Sequence, residues 1–261
     1  MIGIFDSGIG GLGVASQIRK KAPLADLVYF GDLANMPYGP RKTEELFELT
    51  LNAMRFLKSK GATQFVAACN SLSVTVIAPL ADLFETPKTR VIEMVVPTVN
   101  AVCERTHGKI LIAATLATVR SGMYECAFTQ QRLSVEAIAL PKLAEAVERL
   151  ASESELEEII APAVQKAIDM HAQMLVFGCT QFPFARSVFS RAFEKREYEI
   201  ELFDPSEAVA DEAIKTFNVE GEALNTFFVS KSSQVFNQTV IDLFGSHTKV
   251  TLINTEKSVD N

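Results

Sequence analysis

The sequence predicts an α/β protein of two similar lobes, each built on a largely parallel sheet flanked by helices. Short apolar segments of strand length alternate with segments of helical spacing along almost the whole chain, which is the pattern of a parallel sheet. One unit, an apolar strand followed by a cysteine and a helix, occurs twice, at Cys69 and at Cys179. The separation of these cysteines is roughly the length of a small domain, so we expect one in each lobe.

Ten segments have the length and composition of buried strands. Between the second and the third, Leu46, Leu49 and Ala53 recur at helical spacing and predict a helix. Ser154–Glu157 resembles a capping box and predicts the start of another helix. The expected strands are Met1–Phe5, Leu27–Gly31, Gln64–Ala68, Arg90–Met94, Lys109–Ala113, Ser134–Ala139, Met174–Phe177, Ile200–Phe203, Phe227–Val229 and Lys249–Leu252.

Two prolines mark the expected crossings between the lobes. With crossings at Pro97 and Pro205, residues 1–96 and 206–261 form the first lobe, which carries Cys69, and residues 97–205 form the second, which carries Cys179. Ligands of open parallel sheets bind at the carboxyl ends of the strands, which is where both cysteines lie. We therefore expect the active site in the cleft between the lobes.

Composition and charge exclude several functional classes. The chain has 25 Lys and Arg against 32 Asp and Glu, a net charge of −7, which argues against a nucleic-acid partner. No stretch approaches the roughly 20 apolar residues of a membrane span, and Met1–Phe5 resembles a core strand rather than a signal peptide. We therefore expect a cytoplasmic protein without a membrane partner. Four cysteines without paired short spacings and three histidines predict no metal site.

A glycine-rich loop follows the first strand. After Asp6 and Ser7, the segment Gly8–Gly11 should open a helix, where backbone N–H groups favour an anion such as a carboxylate. The glycine spacing fits neither the dinucleotide fingerprint nor the Walker sequence. Asp6 either caps the following turn or orients a nearby base, and the sequence leaves both alternatives open.

Small polar residues adjoin both cysteines. Asn70 and Ser71 follow the first, and Thr180 and Gln181 follow the second, where donors at a helix start are well placed for a substrate carboxylate. The turn Pro37–Gly39 follows the second strand and presents an aromatic residue.

Two of the four cysteines have surroundings that favour chemistry over packing. We expect Cys103 and Cys126 to behave as small hydrophobic residues. Cys69 and Cys179 each lie at a strand-to-helix turn, where a thiolate gains from the helix N-terminus. Inverting a stereocentre beside a carboxylate needs a base on one face and an acid on the other, and two thiols suit both roles. A disulfide oxidoreductase would need a C-x-x-C pair, and a cysteine hydrolase would need a His partner.

Several motifs, in order, resemble those of the glutamate racemases of the aspartate/glutamate racemase superfamily. The resemblance spans nearly the whole chain. It implies two pseudo-symmetric lobes and a racemase that uses neither pyridoxal phosphate nor a metal and supplies D-glutamate for peptidoglycan. Racemases of this type are often dimers, and the Phe-rich stretch Phe182–Phe193 is a candidate subunit contact. The motifs are Phe5-Asp6-Ser7-Gly8-x-Gly10-Gly11, Pro37-Tyr38-Gly39, Ala68-Cys69-Asn70 and Gly178-Cys179-Thr180-x-Phe182-Pro183.

The resemblance also implies roles for individual residues. It makes Cys69 the base for D-glutamate, with Asp6 as its helper, and Cys179 the base for L-glutamate. Pro141–Glu148 resembles the segment that carries the family's acidic residue near the second cysteine, which points to Glu148 as the other catalytic helper. The residues expected to bind substrate are Asp6, Ser7, Pro37, Tyr38, Gly39, Asn70, Ser71, Thr115, Thr118, Thr180 and Gln181.

One position departs from the family pattern. The family has His after the second Cys-Thr, where this chain has Gln181, and an amide can hydrogen-bond but cannot exchange a proton. We therefore expect proton abstraction from L-glutamate to be the impaired half-reaction. Related aspartate racemases resemble this site with Glu in the same place. A racemase of aspartate or another small α-substituted acid, and a non-catalytic amino-acid-binding protein, are the alternatives.

Overall fold

The computed structural model describes residues 1–73, 90–106 and 108–253, so residues 254–261 of the expected first lobe lie outside the described part. Ten strands are present in these ranges, and each overlaps a strand predicted from the sequence. The α/β prediction is confirmed. The strands are β1 Ile2–Asp6, β2 Leu27–Gly31, β3 Gln64–Ala67, β4 Val91–Ile92, β5 Ile110–Ala114, β6 Val135–Ala139, β7 Met174–Gly178, β8 Glu201–Phe203, β9 Asn225–Val229 and β10 Val250–Leu252.

The strands form two sheets in which every pair is parallel. One sheet has the order β10-β9-β2-β1-β3-β4, and the other has the order β6-β5-β7-β8. Strands β1, β2, β5 and β7 are buried along their whole length, which explains why they are nearly continuous apolar runs rather than alternating ones.

Helices connect the strands and cover both sheets. None of the described helices is long and apolar enough to cross a membrane. The α-helices are Gly11–Lys21, Thr43–Ser59, Asn70–Ser73, Val95–Cys103, Leu116–Ser121, Met123–Gln130, Leu143–Glu148, Glu153–Asp169, Arg186–Glu194, Ser206–Thr216 and Gln234–Phe244, and Phe182–Ala185 is a 3₁₀ helix.

The helix predicted from Leu46, Leu49 and Ala53 is present as Thr43–Ser59. The predicted cap at Ser154 is wrong by two residues. Ser152 has the extended backbone of an N-cap, and its hydroxyl accepts from the Glu155 N–H, so Ser154 lies inside the first turn.

The chain passes to the second sheet at the helix Val95–Cys103. Val95 and Val99 pack in one cluster with Ile110 and Ile112 of β5. Pro97, predicted to mark the crossing, lies instead in the first turn of this helix, where the missing N–H of proline costs nothing. The lobe limits at residues 96 and 205 stay a prediction.

A single apolar cluster joins the two sheets. It contains Ile4 of β1 and Val66 of β3 together with Leu111 of β5 and Phe177 of β7. The carboxyl ends of β1 and β7 therefore lie close together. A Cβ atom added at Gly10 would lie 2.5 Å from the backbone carbonyl carbon of Thr180, so only glycine allows this approach.

Candidate active site

Both cysteines predicted to act in catalysis lie at strand ends that face the same space. Cys69 follows β3 after one residue, and Cys179 follows β7 directly. Both thiols are buried, and both line one cavity of about 70 Å³. A cavity of this size is far smaller than the pockets of drug-sized ligands and suits a ligand of few atoms.

The cavity wall is built mainly from residues that the sequence singles out. Three of the predicted residues, Asp6, Thr118 and Glu148, are not part of the wall and instead contact residues that are. Four wall residues were missed, although each is in or next to a motif that was recognised, and these are Pro40, Leu116, Pro141 and Ala144. The predicted wall residues are Ser7, Pro37, Tyr38, Gly39, Cys69, Asn70, Ser71, Thr115, Cys179, Thr180 and Gln181.

Asp6 makes contacts of both kinds that the sequence left open, with the following turn and with a cysteine, and its role in orienting a base stays a prediction. Its carboxylate accepts from the backbone N–H groups of Ser7, at 2.6 Å, and of Gly11, which is a capping role. It also accepts from the Thr180 hydroxyl at 3.0 Å and from the Cys69 thiol. Burial raises the pKa of Asp6, while these donors oppose the shift. Asp6 thus connects the first thiol to the loop that carries the second.

On the opposite side, Gln181 joins Cys179 to Glu148. The Cys179 thiol donates to Gln181 Oε1 at 3.0 Å, and the Gln181 side chain also bonds to Glu148. Glu148 Oε1 accepts in addition from the Ile9 N–H at 2.7 Å. A Cβ atom at Gly8 would lie 2.0 Å from Glu148 Oε1, so a glycine is needed for this carboxylate to reach the loop after β1.

Burial keeps both thiols protonated in the absence of a ligand. It raises the pKa of Cys69 well above its usual range, and the negative charge of Asp6 adds to the effect. It raises the pKa of Cys179 to about 12, against the opposing effect of the Gln181 backbone N–H. Because a cation beside a thiol favours the thiolate, a positively charged ligand would lower the pKa of both thiols.

Glu148→Gln is expected to remove part of the pH dependence of stability. Burial raises the pKa of Glu148 from 4.5 to about 7, so the folded state binds the proton more tightly than the unfolded state. The proton on Glu148 therefore adds about 3 kcal/mol to the free energy of unfolding. This stabilisation is fully present below about pH 4.5 and is lost as the pH rises through 7. Urea unfolding of parent and variant from pH 4 to pH 8 measures it. If the free energy of unfolding of parent and variant changed with pH in the same way, the raised pKa of Glu148 would be contradicted.

A chain of hydroxyl groups crosses the cleft. Ser71 Oγ lies 3.0 Å from Thr115 Oγ1, which lies 3.0 Å from Thr118 Oγ1. Thr118, predicted to bind substrate, thus lies behind Thr115. Ser71 and Thr115 line the cavity, and Thr118 supports Thr115 from behind.

The sequence does not reveal the partner of Tyr38. The Tyr38 hydroxyl donates to Asp32 Oδ2 at 2.7 Å, and Asp32 also accepts from Asn35 Nδ2 and from the Ser230 hydroxyl. The phenol of Tyr38 thus fixes the loop after β2, while the residue lines the cavity. Asp32 is a buried carboxylate that sequence reasoning missed, because its partners come from distant parts of the chain.

Asn70 is the wall residue with the least satisfied side chain. Its Oδ1 accepts from the Tyr124 hydroxyl at 2.6 Å, whereas its buried Nδ2 has no hydrogen-bond partner among the residues that the structure describes. A buried donor without an acceptor is costly, so this amide is a strong candidate for a ligand contact.

The Phe-rich stretch Phe182–Phe193 presents one phenylalanine to a candidate subunit contact. Phe182, Phe189 and Phe193 are buried in the core of their own chain, whereas Phe184 is exposed, at 44%. The homodimer stays a prediction.

Comparison with known proteins agrees with the geometry. The family model for Asp/Glu/Hydantoin racemases matches residues 13–213, which is well over half of the chain. The chain belongs to the Asp/Glu/Hydantoin racemase family. A glutamate racemase of Lactococcus lactis subsp. cremoris is 34% identical over 219 residues, with 80% of this chain and 77% of the relative covered. One of Corynebacterium diphtheriae is 30% identical, with 94% of each chain covered.

A solved racemase of this family has the same architecture. The crystal structure of glutamate racemase isoform RacE1 from Bacillus anthracis superimposes with a TM-score of 0.85 at 28% identity, and 97% of each chain is covered. The two-lobed α/β fold predicted from the sequence is thus confirmed along nearly the whole chain.

Proposed function

We propose that the protein is a glutamate racemase, which interconverts L- and D-glutamate without a cofactor. The observation that carries the proposal is the pair of buried thiols, Cys69 and Cys179, that line one small cavity from the ends of strands in different sheets. The glutamate racemases of Lactococcus lactis and Corynebacterium diphtheriae, aligned over most of the chain, support this choice of substrate.

Each thiol serves as base in one direction and as acid in the other. With L-glutamate, the Cys179 thiolate accepts the α-proton, and the electron pair stays on the α-carbon as a carbanion beside the carboxylate. The Cys69 thiol then delivers its proton to the opposite face, which produces D-glutamate and leaves Cys69 as the thiolate. With D-glutamate the same steps run in reverse.

The substrate itself helps to form the thiolate. Both thiols are protonated in the empty site because burial disfavours their charged forms. The α-ammonium group of the amino acid would bring a positive charge between them, and Asp6 would accept the proton released by Cys69 or return it. On the other side, Glu148 has a pKa near 7 and is the carboxyl group next to Cys179. Gln181 hydrogen-bonds to both groups, but its amide cannot pass a proton between them, so formation of the Cys179 thiolate is the harder step.

Neutral donors around the cavity bind the substrate carboxylates. Asn70 Nδ2, which has no acceptor in the described ranges, suits one carboxylate. The hydroxyl groups of Ser7, Ser71, Thr115 and Thr180 lie at the same wall or directly behind it. The turn Pro37–Gly39 closes the cavity, with Gly39 against Thr115. D-Glutamate made here would supply peptidoglycan synthesis, and a cytoplasmic location stays a prediction.

Deuterium exchange tests the proposal directly. Incubation with each glutamate enantiomer in deuterated water should give the racemate, with deuterium at the α-carbon of the newly formed enantiomer. Chiral chromatography and proton NMR follow both changes. Folded, reduced protein that exchanges the α-proton of neither enantiomer would rule the function out.

The residue type at position 181 makes aspartate the alternative substrate to test. Related aspartate racemases resemble this site with Glu at the same place, and a cavity of about 70 Å³ also suits the shorter acid. A panel of both enantiomers of aspartate and glutamate, read by α-proton exchange, separates the two activities. Glutamate binding that survives in a Cys69→Ala/Cys179→Ala variant, with the parent equally inactive, would indicate a binding protein instead.

A further inference from the structure

We infer that Tyr124 is a positioning residue that sets the orientation of the Asn70 amide toward the substrate. The inference rests on the proposed function. Asn70 begins the helix that follows Cys69, whereas Tyr124 belongs to the helix Met123–Gln130, which packs on the second sheet. The Tyr124 hydroxyl reaches across and donates to Asn70 Oδ1 at 2.6 Å.

The two ends of the Asn70 amide have different surroundings. Oδ1 is occupied by the phenol, whereas Nδ2 is buried and has no partner within the described part of the chain, although Asn70 lines the cavity. An amide has one accepting end and one donating end, so fixing the oxygen also fixes where the two N–H groups point. Only this orientation offers the donor to an anionic group, and a turned amide would present an oxygen to a carboxylate.

Packing alone does not explain a tyrosine at position 124. Its ring is completely buried and stacks on Phe128 at a centroid distance of 6.2 Å, with Val95 and Val99 in the same cluster. A phenylalanine would fill this space equally well, so the reason for a tyrosine lies in the partners of its hydroxyl, which are Asn70 and Thr98 of the helix Val95–Cys103. Burial raises the pKa of Tyr124 well above its usual value, which keeps the phenol neutral and able to donate.

The contact also depends on the arrangement of the two sheets. Asn70 follows β3 of the six-stranded sheet, whereas Tyr124 belongs to a helix that connects β5 and β6 of the four-stranded sheet. The Asn70 amide is therefore held in this orientation only while the two sheets keep their relative positions. A substrate therefore meets a donor that is already aimed, which lowers the cost of binding.

Kinetics of Tyr124→Phe test the inference. A contact with the carboxylate remote from the α-carbon is made equally in the ground state and in the transition state, so we then expect KM for both glutamate enantiomers to rise about tenfold with kcat nearly unchanged. A contact with the α-carboxylate, which takes up charge as the carbanion forms, would lower kcat as well. Because the effect passes through Asn70, adding Tyr124→Phe to Asn70→Ala should cause no further loss. The matched control is Tyr198→Phe. It removes a partly buried hydroxyl that donates to the Ala172 carbonyl at 2.8 Å, away from the cavity.

Two kinetic results would overturn the inference: parent-like KM values for Tyr124→Phe, or losses that multiply in the double variant. A second measurement does not depend on turnover or on the folding of Tyr124→Phe. In protein labelled with 3-fluorotyrosine, Asn70→Ala should shift one fluorine resonance of the four tyrosines strongly. A spectrum unchanged by Asn70→Ala would reject the role of Tyr124, whereas a parent inactive on glutamate would reject the proposed function instead.

Discussion

Cys179→Ala is expected to lower racemisation about a thousandfold and to leave a one-sided proton exchange. Removing one of two proton-transfer groups costs about 10²- to 10⁴-fold in rate. Cys69 can still remove the α-proton of D-glutamate and return a deuteron to the same face. The product would be deuterated D-glutamate without inversion, measured by proton NMR together with chiral chromatography. Cys69→Ala should give the mirror result, with exchange in L-glutamate alone.

The other two cysteines provide matched controls for these variants. Cys103 is half-buried and Cys126 is exposed, and neither lines the cavity. Cys103→Ala and Cys126→Ala should therefore racemise glutamate at the rate of the parent. Parent-like racemisation by Cys179→Ala, or exchange in the wrong enantiomer, would refute the assignment of the two bases.

Gln181→His is expected to raise the turnover number for L-glutamate about tenfold. In the parent, Gln181 Oε1 accepts from the Cys179 thiol at 3.0 Å, a bond that favours the protonated form. An imidazolium at the same place would favour the thiolate that L-glutamate needs. Steady-state kinetics in both directions measure the change. Gln238→His, at an exposed position on the helix Gln234–Phe244, is the control for a new histidine.

Thermodynamics restricts where the asymmetry can be observed. The two enantiomers have equal free energies, so kcat/KM for L- and D-glutamate must be equal in the parent and in every variant. Slow proton abstraction by Cys179 is therefore observed in kcat for L-glutamate and in the isotope effect of α-deuterated L-glutamate. It is not observed in the ratio of kcat/KM for the two enantiomers. A Gln181→His variant whose kcat for L-glutamate does not rise would remove the proposed role of position 181.

The sequence predicts the strands and most of the cavity wall because both depend on local patterns. Apolar segments such as Met174–Phe177 must be buried on both faces, and a cysteine directly after such a strand lies at the sheet edge where ligands bind. Even the missed wall residues, such as Pro40 and Leu116, are neighbours of recognised motifs.

The contacts that support the wall could not be predicted in this way. Tyr124 bonds to Asn70, Asp32 to Ser230, and Glu148 to the Ile9 N–H, and each pair joins segments that are far apart in the chain. A single sequence carries no local signal for such pairs. The start of the helix Glu153–Asp169 was predicted wrongly for a related reason. Ser152 and Ser154 are the same residue type and could both cap a helix, and only the extended backbone of Ser152 distinguishes them.

The apolar cluster shared by the two sheets makes the reaction sensitive to distant packing. Proton transfer from a carbon atom needs donor and acceptor at near-contact distance, and here the two thiols are held by different sheets. A small shift of one sheet against the other would move one thiol away from the α-carbon while both sheets stay folded. Substitutions at members of this cluster away from the cavity, such as Ile4 or Leu111, should therefore slow racemisation as well as lower the melting temperature.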